Sequence, residues 1–300
     1  MTAHGLMPCR SWRSMLFVPA HMQKMIERAH TRAADAIVLD LEDGVPEPSK
    51  AQARHSLGKA IDMLARHGAE VIVRVNRALD SCVNDINAAV RPGVAAITVP
   101  KVMGPEHIAL LDELISTLEH ERTMPLGGLR LIAMIETAVA LGRIDAIARA
   151  SSRLSAITIG SEDLAFDCGF PPTPDNLSGS LRKLVTAARS AGVTPYGLPG
   201  SIATVEDQVL FQTIARSASN MGLEGAFCIH PSQVTSLNDA FTPSDADLRW
   251  AKGAVDAYEE ALRHGRGAIG FEGRMVDLPV AKRARALLDR RRSASRLEAC

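Results

Sequence analysis

Residues Leu131–Glu136 (LIAMIE) and Ala156–Glu162 (AITIGSE) decide the fold. Each is a short apolar run that finishes on an acid. A strand with one wet face alternates apolar and polar residues, whereas a strand covered on both faces stays apolar throughout. These two runs therefore read as parallel strands inside an α/β protein. Six similar runs flank them: Ser14–Pro19 (SMLFVP), Ala36–Leu41 (AIVLDL), Val71–Val75 (VIVRV), Ala96–Lys101 (AITVPK), Thr194–Pro199 (TPYGLP) and Gly225–Pro231 (GAFCIHP). Helical periodicity fills the intervals. Glu106–Glu121 places Ile108, Leu111, Leu114, Ile115 and Leu118 three or four residues apart. Ala138–Ala150, Leu177–Ala191 and Val205–Met221 behave alike, and Thr204 with Asp207 predicts a capping box. Eight strands alternating with helices predict a (β/α)8 TIM barrel over residues 1–240, in preference to an open doubly wound sheet. Residues 241–300 form a C-terminal helical extension: a helix over Pro243–His264, a glycine-rich link Gly265–Gly273, and a last helix from Pro279. That segment is too short for an independent core, so it is expected to pack on the barrel or on a neighbouring subunit.

Composition narrows the function. The chain has 300 residues, with 34 Lys+Arg against 34 Asp+Glu. A balanced charge argues against nucleic acid as a partner, because a basic excess supplies most of that affinity. No apolar run approaches the roughly 18 residues needed to cross a bilayer, so no membrane partner is expected. Arg10 and Arg13 are not followed by an apolar core before His21 and Lys24, which argues against secretion. Cys9, Cys82, Cys168, Cys228 and Cys300 are scattered and odd in number, a poor disulfide framework and a poor zinc site. The expected compartment is cytoplasmic. Gly265–Gly270 matches G-x-G-x-x-G, but it follows a helix instead of a strand, so it does not indicate a dinucleotide site.

In a barrel the chemistry sits where strands end. The second run ends Asp40-Leu41-Glu42-Asp43-Gly44. The third offers Arg74 and Asn76, the fourth Lys101, the fifth Glu136, the sixth Gly160-Ser161-Glu162-Asp163, and the eighth His230. Carboxylates without thiolates suit a hard cation, Mg2+ or Mn2+. Glu136 and Asp163 end neighbouring strands, so they either share one ion or serve as helix caps and first-turn charges. Arg74 inside an apolar strand needs an anion: a substrate carboxylate held bidentately, or Asp40 or Glu42 next door. Lys101 is a Schiff-base lysine or a solvated strand-end lysine. His230 is a base or a hydrogen-bonded core histidine.

The segments Arg13–Pro19, Val38–Val45, Val73–Asn76, Val99–Lys101, Ile135–Ala138, Gly160–Leu164, Ile229–Pro231 and Gly273–Asp277 together resemble the citrate lyase β-subunit family. That family is related to malyl-CoA and citramalyl-CoA lyases within the HpcH/HpaI aldolases. The resemblance implies Mg2+ held by Glu136 and Asp163, with substrate bound by Arg74, Arg13, Gly160 and Ser161. It implies that Asp277, assisted by Glu42, transfers a proton, and that the extension covers the site of a neighbouring subunit in a trimer or hexamer. The implied activity is cleavage of a 3-hydroxy acyl-CoA (citramalyl-, malyl- or citryl-CoA) into an acyl-CoA and a 2-keto acid. The alternatives are a class II aldolase acting on free hydroxy acids, and a non-catalytic barrel that binds an acyl carrier or protein partner. The basic run Lys282–Glu298 is a solvated helix face or a contact for CoA phosphates or an acidic carrier.

Overall fold

The structure is a computed structural model that describes residues 11–298, with side chains to Arg291. Arg10, Cys9 and Cys300 lie outside the described residues, whereas Cys82 and Cys228 are buried free thiols and Cys168 is an exposed one. The chain divides into two compact units, Met1–Phe241 and Thr242–Cys300.

The first unit is a (β/α)8 barrel. Its strands are β1 (Ser14–Pro19), β2 (Ala36–Asp40), β3 (Val71–Arg74), β4 (Val94–Val99), β5 (Arg130–Ile135), β6 (Leu154–Ile159), β7 (Thr194–Tyr196) and β8 (Ala226–Cys228). All ladders are parallel and run in the order β7-β6-β5-β4-β3-β2-β1-β8. The last seam closes through two backbone bonds, Gly197 N donating to Gly225 O and Glu224 N donating to Pro195 O, each 3.0 Å. Both faces of these strands are dry, which explains their unbroken apolar character. Trp12, Met15, Phe17, Val38, Ile72, Ile132, Tyr196 and Phe227 fill the barrel interior. Leu16, Val18, Ile37, Leu39, Ile97 and Leu131 face the surrounding helices.

Those helices are α1 (Gln23–Ala29), α2 (Lys50–Arg66), α3 (Leu79–Ala89), α4 (Pro105–Glu121), α5 (Ala138–Gly142), α6 (Ile144–Ala148), α7 (Ser161–Cys168), α8 (Pro174–Ala191), α9 (Gln208–Asn220) and α10 (Pro231–Phe241). The single helix read over Ala138–Ala150 is two short ones, broken at Arg143. The capping box at Thr204 does not form; Asp207 is itself the N-cap of α9 and accepts from Leu210 N at 2.9 Å.

Ion pairs fasten the N-terminal end of the barrel. Arg13 precedes β1 and bonds Asp35, which precedes β2, through Nε and Nη2, each at 2.9 Å. A six-residue strand spans about 20 Å, so Arg13 stands at the opposite end from the strand-end acids. The expected substrate contact of Arg13 is thereby corrected to a structural ion pair. Before β6, at the same end of the barrel, buried Arg153 donates to both oxygens of fully buried Glu119 at 2.9 Å, and to Leu129 O at 2.7 Å.

The second unit contains α11 (Asp245–Arg263), capped by Ser244 accepting from Asp247 N at 3.1 Å, and α12 (Leu278–Glu298). The glycine-rich link is not a loop. It forms an antiparallel hairpin, β9 (Ile269–Phe271) and β10 (Arg274–Val276), turning through Glu272 (φ 46°) and Gly273 (φ 72°). Two successive positive φ values suit a two-residue hairpin turn. Ala254, Tyr258, Val276, Ala281 and Ala284 build a small core here, so the extension is not coreless.

Truncating one member of a buried ion pair strands the other charge. Glu119→Ala should therefore cost about 3–5 kcal/mol in chemical denaturation without changing turnover per folded molecule. A loss below about 1 kcal/mol would show that Arg153 finds another partner.

Candidate active site

The C-terminal ends of β2 to β6 bring charged side chains together. Asp40, the last residue of β2, shapes the turn that follows: its Oδ1 accepts from Glu42 N (3.0 Å) and its Oδ2 from Gly44 N (2.9 Å). The same carboxylate takes Arg74 bidentately, at 2.7 Å from Nε and 2.8 Å from Nη2. Arg74 Nη1 pairs with Glu42 Oε2 at 2.9 Å, and the guanidinium lies 4.4 Å from the Phe17 ring centroid. The face expected to grip a substrate carboxylate is thus taken by Asp40. What Arg74 offers the cavity is a fixed positive edge, and these bonds hold its pKa above the ordinary value despite burial.

Lys101 is neither a solvated lysine nor a Schiff-base candidate. Its Nζ donates to Glu42 Oε1 (2.7 Å) and Asp43 Oδ2 (3.0 Å) and lies 3.7 Å from Asp163 Oδ1. Burial alone lowers its pKa, but the bonds to Glu42 and Asp43 outweigh it and the net shift is upward. Its backbone is left-handed (φ 46°), which aims its N–H at Glu136 Oε2, 2.6 Å away.

Glu136 is 2% exposed and forms no ion pair among the described residues. It is not a helix cap, since Thr137 caps α5. Burial, then repulsion from Asp163 and Glu42, pushes its carboxyl up to about 7, against the Lys101 amide. Gly160 must be glycine here, because a Cβ would lie 2.2 Å from Glu136 Oε1. Asp163 sits in the first turn of α7 with its side chain 40% exposed. Glu136, Asp163, Arg74, Gly160 and Ser161 line one cavity of about 190 Å³, whose other wall is apolar: Phe17, Met134, Leu198 and Phe227. The buried Ser161 Oγ has no hydrogen-bond partner among the described residues.

These residues fit a divalent cation. Glu136 is a buried carboxylate crowded by two others, and the donors are all hard oxygens. Among the described residues no cluster of three or more His, Cys, Asp and Glu side chains is placed to hold an ion, so the candidate donors here are the two carboxylates of Glu136 and Asp163.

Two residues fall elsewhere. His230 is exposed, with Nδ1 2.7 Å from Ser232 Oγ; it is neither buried in the core nor in the cavity lining. Asp277 caps α12 in the second unit, its Oδ1 accepting from Val280 N at 3.2 Å. Sequence reading missed a buried brace behind Glu42. Asn76 donates to Leu41 O (2.8 Å) and to Asp85 Oδ2 (2.7 Å), and fully buried Asp85 is held by Arg54 (2.6 Å).

Comparison with known proteins agrees with this geometry. Residues 13–231 match the HpcH/HpaI aldolase/citrate lyase family. The chain belongs to that family. It is therefore a carbon–carbon lyase with the family's TIM barrel. It is 34% identical over 285 residues to the citrate lyase subunit beta of Escherichia coli, covering 94% of this chain and 93% of that one. It is 30% identical over 307 residues to the L-malyl-CoA/beta-methylmalyl-CoA lyase of Cereibacter sphaeroides, covering 94% and 95%. Among solved structures, the Mycobacterium tuberculosis protein CitE in complex with magnesium, acetoacetate and coenzyme A superposes with a TM-score of 0.74 at 28% identity, covering 94% and 98%. No helix among the described residues is long and apolar enough to cross a membrane.

The pKa of Glu136 sets a sign. A carboxyl near 7 in the fold and near 4.5 unfolded makes the folded state bind more protons between those values, so this group's penalty appears as pH rises through that window. Glu136→Gln should stabilise the metal-free protein at pH 8 by on the order of 1–3 kcal/mol, and by little at pH 4.5. Wild-type affinity for a divalent cation should fall about tenfold between pH 8 and pH 6. Denaturation and cation titration at each pH measure both; a pH-independent affinity would refute the assignment.

Proposed function

We propose that the chain is a Mg2+-dependent lyase that cleaves a 3-hydroxy acyl-CoA into an acyl-CoA and a 2-keto acid. One observation carries the reading: Glu136, buried with no ion pair among the described residues, shares a cavity with Asp163 and Arg74. The relatives' names supply the substrate class, and the magnesium and coenzyme A of the M. tuberculosis complex support the cofactor.

Glu136 and Asp163 would hold Mg2+; Mn2+ suits the same oxygens. When bound, the ion supplies Lewis-acid polarisation to the substrate oxygens that become the keto acid. Arg74 fixes positive charge where the substrate carboxylate lies, and Ser161 Oγ donates a hydrogen bond to it. A base takes the hydroxyl proton, the Cα–Cβ electron pair passes to the thioester as an enolate, and the enolate carbon then takes a proton. Asp277 serves that last transfer in the site of a neighbouring copy, within a trimer or a pair of trimers. Glu42 assists by holding Arg74 and Lys101 in place.

Charge also favours a substrate within the class. Arg74 is the one cation among the described lining residues, which otherwise combine the acids Asp43, Glu136, Glu162 and Asp163 with an apolar wall. A second carboxylate on the keto-acid half would lose solvation there without gaining a partner. We infer a glyoxylate- or pyruvate-type half in preference to an oxaloacetate-type one.

A panel of thioesters and free hydroxy acids with Mg2+ tests this. Malyl-CoA or citramalyl-CoA should exceed citryl-CoA at least tenfold in kcat/KM, with no keto acid released from free acids. Release only from free acids would replace the reading with the free-acid aldolase.

Asp277→Asn should keep cation affinity and lose about 100-fold or more in kcat, the ordinary weight of a positioned proton donor. Co-expressed Asp277→Asn and Glu136→Gln chains should regain activity by pairing intact parts from different copies. Failure of mixed oligomers to regain activity, with assembly verified, would place the proton donor on the same chain or elsewhere.

A further inference from the structure

A second cavity, of about 470 Å³, lies on the outside of the barrel among α2, the end of α3 with the segment after it, and Arg122 just past α4. Its lining is strongly basic: Arg54, His55, Lys59, Arg91 and Arg122, with Asp62 as the lining acid. The whole chain carries no net charge, so this local excess is notable.

All three arginines are already held, Arg54 from behind and Arg91 and Arg122 by other residues of the lining. Arg54 Nε donates to buried Asp85 at 2.6 Å. Arg91 Nη2 donates to both Asp62 oxygens, at 3.1 and 3.2 Å. Arg122 Nη1 donates to Asn87 O at 2.8 Å and to Val90 O, at the carbonyl end of α3. Lys59 and His55 have no partner among the described residues and are exposed. An arginine fixed before binding loses less side-chain entropy when it takes an anion.

Gly58 adds an independent sign. It sits inside α2, where glycine costs about 1 kcal/mol relative to alanine. A Cβ there would lie 2.0 Å from Arg91 Nη1. The helix thus carries its weakest ordinary residue where the guanidinium crosses it.

We propose that this cleft is an anion-binding site, separate from the strand-end cavity, for a small molecule carrying two or more phosphate groups. Guanidinium forks match phosphate oxygens bidentately, and several converging forks favour a chain of them over a single ion. The cleft is also too large for one phosphate alone.

Calorimetric titration with inorganic tripolyphosphate tests this. EDTA is present so that no cation recruits the anion to the acidic strand ends. Wild-type protein in 50 mM salt should bind with a Kd of about 1 mM or tighter, several-fold weaker in 200 mM salt. Citrate should bind at least tenfold more weakly. Gly58→Ala should keep or raise the melting temperature, keep turnover of the lyase substrate, and weaken tripolyphosphate at least tenfold. Lys59→Glu should weaken it similarly. The proposal is overturned if wild type does not bind, if citrate binds equally well, or if both variants bind like wild type.

Discussion

Everything at the strand ends depends on one imbalance. Asp40, Glu42, Asp43, Glu136 and Asp163 converge on two cations, Arg74 and Lys101. Buried carboxylates are tolerable only when paired, so the cations must serve several partners each. Arg74 holds Asp40 and Glu42. Lys101 holds Glu42 and Asp43 with its ammonium and Glu136 with its amide. Serving both ends of Lys101 requires a left-handed backbone, a strain of order 1 kcal/mol or more for a residue with a Cβ. Glu136 is left with an amide and, among the described residues, no ion pair; burial first, then repulsion from Asp163 and Glu42, raises its pKa.

The opposite end of the barrel offsets this strain with satisfied pairs. Arg13–Asp35 and Arg153–Glu119 are buried and bonded through more than one nitrogen or oxygen. Trp12 N donates to the Tyr196 hydroxyl at 3.1 Å where the interior is plugged. The two ends use the same residue types for different purposes. At the lower end Asp35 and Glu119 each take two nitrogens of one guanidinium, with Arg153 also reaching Asp112; at the upper end five carboxylates share Arg74 and Lys101.

The barrel was legible because both strand faces are dry, a property that a linear pattern records directly. That Glu136 and Asp163 meet in one cavity was legible because an acid at the end of an apolar run is conspicuous. Arg13 misled because it adjoins β1, and adjacency in sequence does not say which end of a strand a residue occupies. Arg74 showed that it needed an anion but not which one, and the bond to Asp40 across neighbouring strands decided it. The Asn76–Asp85–Arg54 brace left no pattern, since its members lie on separate elements and each looks like a surface residue alone. The hairpin at Gly265–Gly273 was hidden because glycine signals freedom without saying how it is used.

The state of Lys101 separates two kinds of carbon–carbon chemistry. A lysine that forms a Schiff base must be neutral to attack a carbonyl, and such lysines are desolvated or placed beside other cations. Lys101 has the reverse surroundings, with three carboxylates around its nitrogen, and its pKa rises. It cannot form an imine without breaking its ion pairs to Glu42 and Asp43. On the proposed reading, the electron demand of bond cleavage is met instead by a cation that Glu136 and Asp163 would hold beside Lys101.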